Sequence, residues 1–216
     1  MITYAEEVDV IDIQTAHHVI PGATYNEETG RYCSRSQGIH AKYLADVKTG
    51  LWYHGWTFNG RHNFAGAFWG RGNCWVTIAI PEFLQMVECS PAVKKALTGV
   101  LENQVQSLAR FQNESGMWHT LVDDPTSYVE SSATCGFAYG ILRAVHTGLL
   151  DREYEQTAWK ALKPILGYIS EDGVVSQVSY GTPMGRESKD FYKKIELRQM
   201  PYGQALAMLF LIECLE

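Results

Sequence analysis

The sequence has no CxxC pair, no run of basic residues, no apolar stretch of membrane-spanning length and no sustained apolar–polar alternation; each absence removes a class of protein. Its five cysteines, Cys33, Cys74, Cys89, Cys135 and Cys214, are odd in number and widely spaced, which fits reduced packing thiols rather than a disulfide frame or a zinc site. Lys and Arg number 18 against 24 Asp and Glu, a net charge of −6, so nucleic-acid phosphates and anionic membranes are not expected partners. No stretch approaches the roughly 18 apolar residues of a membrane span. The opening MITYAEEVDV has neither a basic start nor a long apolar run, so a cytoplasmic location is expected. His17, His18 and His119 lack a second ligand at metal spacing, so neither a metal nor a cofactor is expected. Ser131 sits in no nucleophile elbow.

What the chain has instead is one stretch rich in aromatic and polar side chains. Leu51 to Trp75, LWYHGWTFNGRHNFAGAFWGRGNCW, holds Trp52, Trp56, Trp69 and Trp75 together with His54, His62, Arg61 and Arg71. Wide aromatic faces, one-point donors and turn-forming glycines are poor core material and good pocket material. A ligand is expected here.

Around this stretch the periodicity is helical. Glu6 to Val19 spaces Val8, Ile11, Ala16 and Val19 close to a helical stripe and is read as a helix, although its valines and isoleucines also suit a strand. Arg31 to Ala45 is expected as an amphipathic helix, DVKTG as a turn and LWYHGW as a short extended piece. Asn73 is read as the cap of a helix reaching Val87, apolar on most sides despite Pro81. Ser90 then Pro91 gives the preferred cap-then-proline order for a helix to Phe111. Glu130 to Leu149 is a helix whose Ala and Gly positions allow a neighbour to approach closely. Asp151 is expected to cap another helix reaching Ile169, and Pro201 to Leu215 is the last.

The loops between these helices repeat. TGLWYHGW, SGMWHTLVD and EDGVVSQVS each set a glycine (Gly50, Gly116, Gly173) before an apolar pair and a short extended piece. Their spacing of about 60 residues is two helices with their connections, which marks an all-α stack of helical hairpins, open or closed into a toroid. In a toroid the glycine loops gather at one mouth.

YHGW followed by FWGRGNCW, then FQNESGMWHTLVDDPTSYVESSAT and PYGQALAML, resembles the unsaturated glucuronyl and rhamnogalacturonyl hydrolases of glycoside hydrolase families 88 and 105, the latter more closely. The resemblance runs over most of the chain. It implies an (α/α)6 toroid, and hydrolysis of a sugar that carries a 4,5-unsaturated uronic acid at its non-reducing end. The implied chemistry is hydration of the vinyl-ether double bond, collapse of the hemiketal and loss of the glycosyl bond. Ordinary glycosidases instead displace the aglycone with two carboxylates.

The family's general acid/base is an aspartate in a VD-x-apolar segment, which falls on Asp9 of VDVIDI; pattern alone would leave Asp9 a solvent-facing residue. Asp12 is the competitor, standing where the family prefers an apolar side chain. His54 matches the family histidine that contacts the sugar, although a surface loop histidine would look the same. Arg71 matches the arginine near the uronate carboxyl, with structural bonding to loop carbonyls as the alternative. Trp69 and Trp75 match aromatic walls of the sugar site, with core packing open for Trp75. Asp123-Asp124-Pro125 reads as a turn, Glu130 as a helix cap, and Tyr128 and Tyr202 as structural.

At about 60 residues per hairpin the chain holds roughly three and a half hairpins, about seven helices, where the closed toroid has six hairpins. Residues 1–216 are therefore expected to form a single domain, the C-terminal part of such a barrel. Its exposed apolar helix faces predict self-association or a complementing N-terminal chain. The expected partner is an unsaturated oligosaccharide. The alternative is a non-catalytic helical array that only binds sugar or protein.

Overall fold

The computed structural model describes residues 10–12, 25–26, 31–32, 35–181 and 183–216. Its strands are short: β1 Val10–Asp12, β2 Tyr25–Asn26, β3 Arg31–Tyr32 and β4 Gly55–Thr57. The helices are α1 Arg35–Leu44, α2 Gly70–Met86, α3 Pro91–Phe111, α4 Ser131–His146, α5 Glu155–Trp159, α6 Leu162–Gly167, α7 Asp190–Lys193 and α8 Pro201–Glu213. A 3-10 turn, Arg152–Tyr154, precedes α5. The chain is all-α, built of the helical hairpins of an (α/α)6 toroid.

Helix α4 is the centre of the packing, with α2 against one side and α8 against another. Small residues make this possible. A Cβ at Gly136 would lie 2.6 Å from Cys74 Sγ, and one at Gly140 would lie 2.5 Å from the Thr77 carbonyl oxygen. Thr77 is four residues before Pro81, which has no amide hydrogen to give it, so α4 seats its backbone against the carbonyl that the proline leaves unpaired. Around this seam Leu101, Val105 and Leu108 of α3, Phe137, Ile141 and Leu142 of α4 and Leu206 and Phe210 of α8 form one buried core.

Four expectations give way to the structure. Val10–Asp12 is not helical: it pairs antiparallel with Gly55–Thr57, the β-branched residues winning over the incomplete helical stripe. Helix α2 begins three residues before Asn73, which caps nothing; Trp69 holds the cap position in extended geometry. The 151–169 segment is broken into a 3-10 turn, α5 and α6, because Pro164 cannot donate to the Lys160 carbonyl and the Gly116 backbone packs against that same peptide. Asp151 takes the N-cap position there without a side-chain bond. Helix α1 also starts later than expected, since Arg31–Tyr32 pairs with Tyr25–Asn26.

The repeated loops behave as their glycines suggest. Gly50, Gly116 and Gly173 have φ of 68°, 92° and 77°, and the first two lie against the backbones of Asn103 and Lys160 in the next hairpins. The loops then join sideways: Gly70 donates its N–H to Thr120 O at 2.8 Å, Ser131 to Gln177 O at 2.9 Å and Arg198 to Val178 O at 2.8 Å. Consecutive hairpins thus present one continuous loop face.

Candidate active site

On this loop face, Trp69 and Arg71 are placed by the start of α2, and His54 by the extended piece leading into β4. Asn73 ties the two together. Its side-chain oxygen accepts the Trp52 N–H at 2.7 Å, while its amide nitrogen donates to Trp52 O at 2.8 Å and Trp69 O at 2.9 Å. Gln104 of α3 adds a bond to the same oxygen at 3.3 Å. The clamp fixes where the 52–57 segment sits relative to the helix.

The His54 ring stacks on Trp69, centroids 4.6 Å apart and planes 28° apart. The Arg71 guanidinium lies 4.7 Å from the Trp69 ring and 4.3 Å from that of Tyr202. All three expected residues are buried, His54 to 3%, Trp69 to 1% and Arg71 to 2% exposure. The structure therefore brings His54, Trp69 and Arg71 into one contiguous group. Trp75, six residues along α2, is half-buried against the main core. Asp9 lies outside the described residues, but β1 follows it directly, and the pairing sets Asp12 opposite Gly55, the neighbour of His54.

Arg71 is the hub of an interhelical network. Its Nη1 donates to Ser132 Oγ at 3.2 Å and to Ser179 O and Oγ at 2.9 and 2.8 Å, and its Nη2 donates to Gly181 O. Glu130 supplies the counter-charge at 3.6 Å. It also caps α4, as expected, accepting the Ala133 N–H at 2.6 Å, and accepts the Ser179 N–H at 2.9 Å. The terminal nitrogens of the guanidinium are thus already taken by protein. Two buried donors are not: Arg71 Nε and Trp69 Nε1 have no hydrogen-bond partner among the described residues. A buried donor left unpaired costs about 1–3 kcal/mol, so neighbouring orphan donors favour a ligand rich in oxygen acceptors.

Other polar side chains of the loops bond within the fold. His119 bonds Ser127 O at 2.5 Å and Asn113 Nδ2 at 3.1 Å, so both ring nitrogens serve the loop. Asp124 builds a turn with Thr126 and takes an ion pair from Lys193 at 2.7 Å. That lysine and the Thr126 bonds hold the Asp124 carboxyl down at about 2. Tyr202 donates to Ser179 O at 2.6 Å. Cys74, Cys89, Cys135 and Cys214 are free thiols, and burial pushes each of them up. No cluster of three metal-ligating side chains occurs among the described residues, and no helix there is long and apolar enough to cross a membrane.

The sequence reading missed Tyr192. It stands on the four-residue helix α7, fully buried, with its hydroxyl 2.6 Å from His54 Nδ1 across 138 residues of sequence. The segment KDFYKK carries no periodic signal that could have linked it to YHGW.

The pattern of Glycosyl Hydrolase Family 88 matches residues 22–216. The chain belongs to that family. This family 88 chain is 36% identical over 178 residues to the unsaturated rhamnogalacturonyl hydrolase YesR of Bacillus subtilis, covering 82% of the present chain and 50% of the relative. A solved structure from Salmonella enterica serovar Paratyphi A, described as a possible member of family 105, superposes with a TM-score of 0.90 at 45% identity, covering 99% of this chain and 59% of the other. Another, from Klebsiella pneumoniae and described in the same words, gives 0.85 at 43%, with 99% and 58% covered. The family 88 chain thus spans between half and three fifths of the length of these relatives.

Proposed function

We propose that this chain binds and hydrates a 4,5-unsaturated uronic acid at the non-reducing end of lyase-derived oligosaccharides, with an unsaturated rhamnogalacturonyl disaccharide from pectin as substrate. The observation that carries the reading is the His54–Trp69–Arg71 group with its two unpaired buried donors. A flat aromatic face suits the planar unsaturated ring, and the donors suit its oxygens. The chain's similarity to the Bacillus relative, an unsaturated rhamnogalacturonyl hydrolase, supports the same substrate class.

In this proposal Asp9 is the general acid/base. Its carboxylic acid gives a proton to the alkene carbon C4, and the carboxylate then takes a proton from the water that attacks C5. The resulting hemiketal opens and the aglycone leaves with its glycosidic oxygen. The choice of Asp9 rests on the resemblance; the β1–β4 pairing brings the strand after it alongside the His54 segment, with Asp12 opposite Gly55 as the competitor. His54, Trp69, Arg71 and Trp75 bind the sugar, with Arg71 acting through its charge and Nε. Activity in the cytoplasm belongs to the same proposal.

The test is loss of the near-ultraviolet absorbance of the unsaturated disaccharide on adding purified chain. No loss with the wild-type chain sinks the hydrolase reading.

A second reading is favoured by one observation. Met208, Leu209 and Ile212 leave an apolar face of α8 exposed, continued by Leu215 just beyond the helix, and the solved relatives carry further chain that this one does not match. On this reading residues 1–216 form one domain, the C-terminal part of the barrel, which binds sugar and turns it over only when further helices cover that face. Disaccharide binding without turnover, and turnover on adding the unmatched portion of the Salmonella relative, would support it.

A further inference from the structure

The Tyr192 hydroxyl has two described partners, His54 Nδ1 at 2.6 Å and the Gly185 backbone nitrogen at 3.2 Å. An amide nitrogen only donates, so the oxygen accepts from Gly185 and its own hydrogen must go elsewhere. Tyr192 is fully buried, where leaving a donor unpaired costs about 1–3 kcal/mol, so the hydroxyl favours donating its hydrogen. Among the described residues the acceptor within reach is His54 Nδ1. Burial raises the phenol above its ordinary range, the Gly185 amide offsetting only part of that, so the proton stays on the oxygen.

We propose that Tyr192 is a positioning residue that holds His54 in the tautomer with its hydrogen on Nε2. Nδ1 is then committed as an acceptor, and Nε2 is the nitrogen that donates. The Trp69 ring stacked at 4.6 Å fixes the plane of the imidazole while Tyr192 fixes its rotation. The two contacts, one from Trp69 nearby in sequence and one from the distant Tyr192, thus set one donor direction, as a site that binds a sugar hydroxyl or a uronate oxygen requires. The ligand half of this inference rests on the hydrolase reading; the tautomer does not.

The experiment is two-bond proton–nitrogen correlation on the uniformly 15N-labelled, ligand-free full chain, with the His54 signals identified by their loss in His54→Gln. The expected result is a protonated Nε2 and an acceptor Nδ1, moving to a tautomer mixture or to Nδ1–H in Tyr192→Phe. A wild-type spectrum with the hydrogen on Nδ1 overturns the proposal without need of any variant, and an unchanged tautomer in Tyr192→Phe overturns it as well. With circular dichroism unchanged, Tyr192→Phe is expected to weaken disaccharide binding by about tenfold, one ordinary hydrogen bond. If the wild-type chain proves inactive on the disaccharide, the hydrolase reading falls and the spectra still decide the tautomer.

Discussion

Arg71 and Glu130 face one another at 3.6 Å with side chains 1% exposed, and the pair bridges α2 to the cap of α4. A charge so placed is costly to strand. Glu130→Gln leaves a buried guanidinium without its counter-ion and is expected to cost about 3–5 kcal/mol in urea unfolding. Replacing both together, Arg71→Met with Glu130→Leu, should cost less than the sum of the singles. A loss below about 1 kcal/mol for Glu130→Gln would mean that water reaches the pair and screens it.

Asn73 is the other cross-link of the site, and its chemistry is directional. Asn73→Asp keeps the acceptor for the Trp52 N–H but loses both donor bonds, to Trp52 O and Trp69 O. It also buries a carboxyl group at a fully enclosed position. The variant is expected to be less stable than wild type by about 1–3 kcal/mol or more, and less stable than Asn73→Ser, because an unmet buried polar group costs more than a missing bond. Thermal unfolding of the three proteins side by side checks the order.

Two helical glycines should respond with opposite signs to the same substitution. At Gly140 the new Cβ meets the Thr77 carbonyl, which is backbone and cannot swing away, so Gly140→Ala is expected to cost about 1–3 kcal/mol. At Gly99, inside α3, nothing lies within 4 Å of the added carbon. Gly99→Ala is therefore expected to gain about 0.5–1 kcal/mol through helix propensity. Equal effects at the two positions would contradict the close α2–α4 packing.

These contrasts also show what the sequence made legible. Small residues in SSATCGFAYG announced a close-packed helix, and Gly136 and Gly140 provide it. The glycine loops announced a repeat, and their positive φ angles and contacts with the next hairpins realise it. WGRGN and YHGW announced neighbours, and Trp69 and His54 stack. The failures have local causes. Pro164 looks harmless near the start of a turn of helix, yet it removes the amide that Lys160 needs. Asn73 has the composition of a cap, but its partner is Trp52, in another segment. Tyr192 meets His54 only through tertiary structure, which no short window of sequence contains.

Helix α7, which carries Tyr192, is pinned by Lys189 to Asp123 at 3.0 Å and by Lys193 to Asp124 at 2.7 Å. Asp124 is held at about 2, below its ordinary 3.8, so it contributes stability that is fully present above the ordinary value and lost as pH falls through about 2. Lys193 is shifted upward, chiefly by its hydrogen bond to Asp124, so its contribution is present below the ordinary ammonium value and lost as pH rises through the shifted one. The expected outcome is faster amide exchange in α7 on acidification from about pH 4 towards pH 2, a response that Lys193→Met abolishes and added salt weakens. Exchange in α7 indifferent to both would mean that Asp124 does not hold the helix.

The acid/base assignment turns on three residues of spacing. The resemblance selects Asp9, whereas the β1–β4 pairing sets the backbone of Asp12 directly opposite Gly55 and so beside His54. A carboxyl that transfers the proton should lose about 10²–10⁴-fold in kcat when made an amide, with binding largely kept. Asp9→Asn is expected to show that loss on the unsaturated disaccharide. Asp12→Asn should retain most of the turnover. The reverse result would move the reacting proton to Asp12 and leave Asp9 a surface residue, a shift that Asn substitution can report because it preserves shape while removing the titrating group. Equal, large losses in both would implicate the β1 backbone pairing itself, and an unchanged far-ultraviolet spectrum would then separate a displaced strand from lost chemistry.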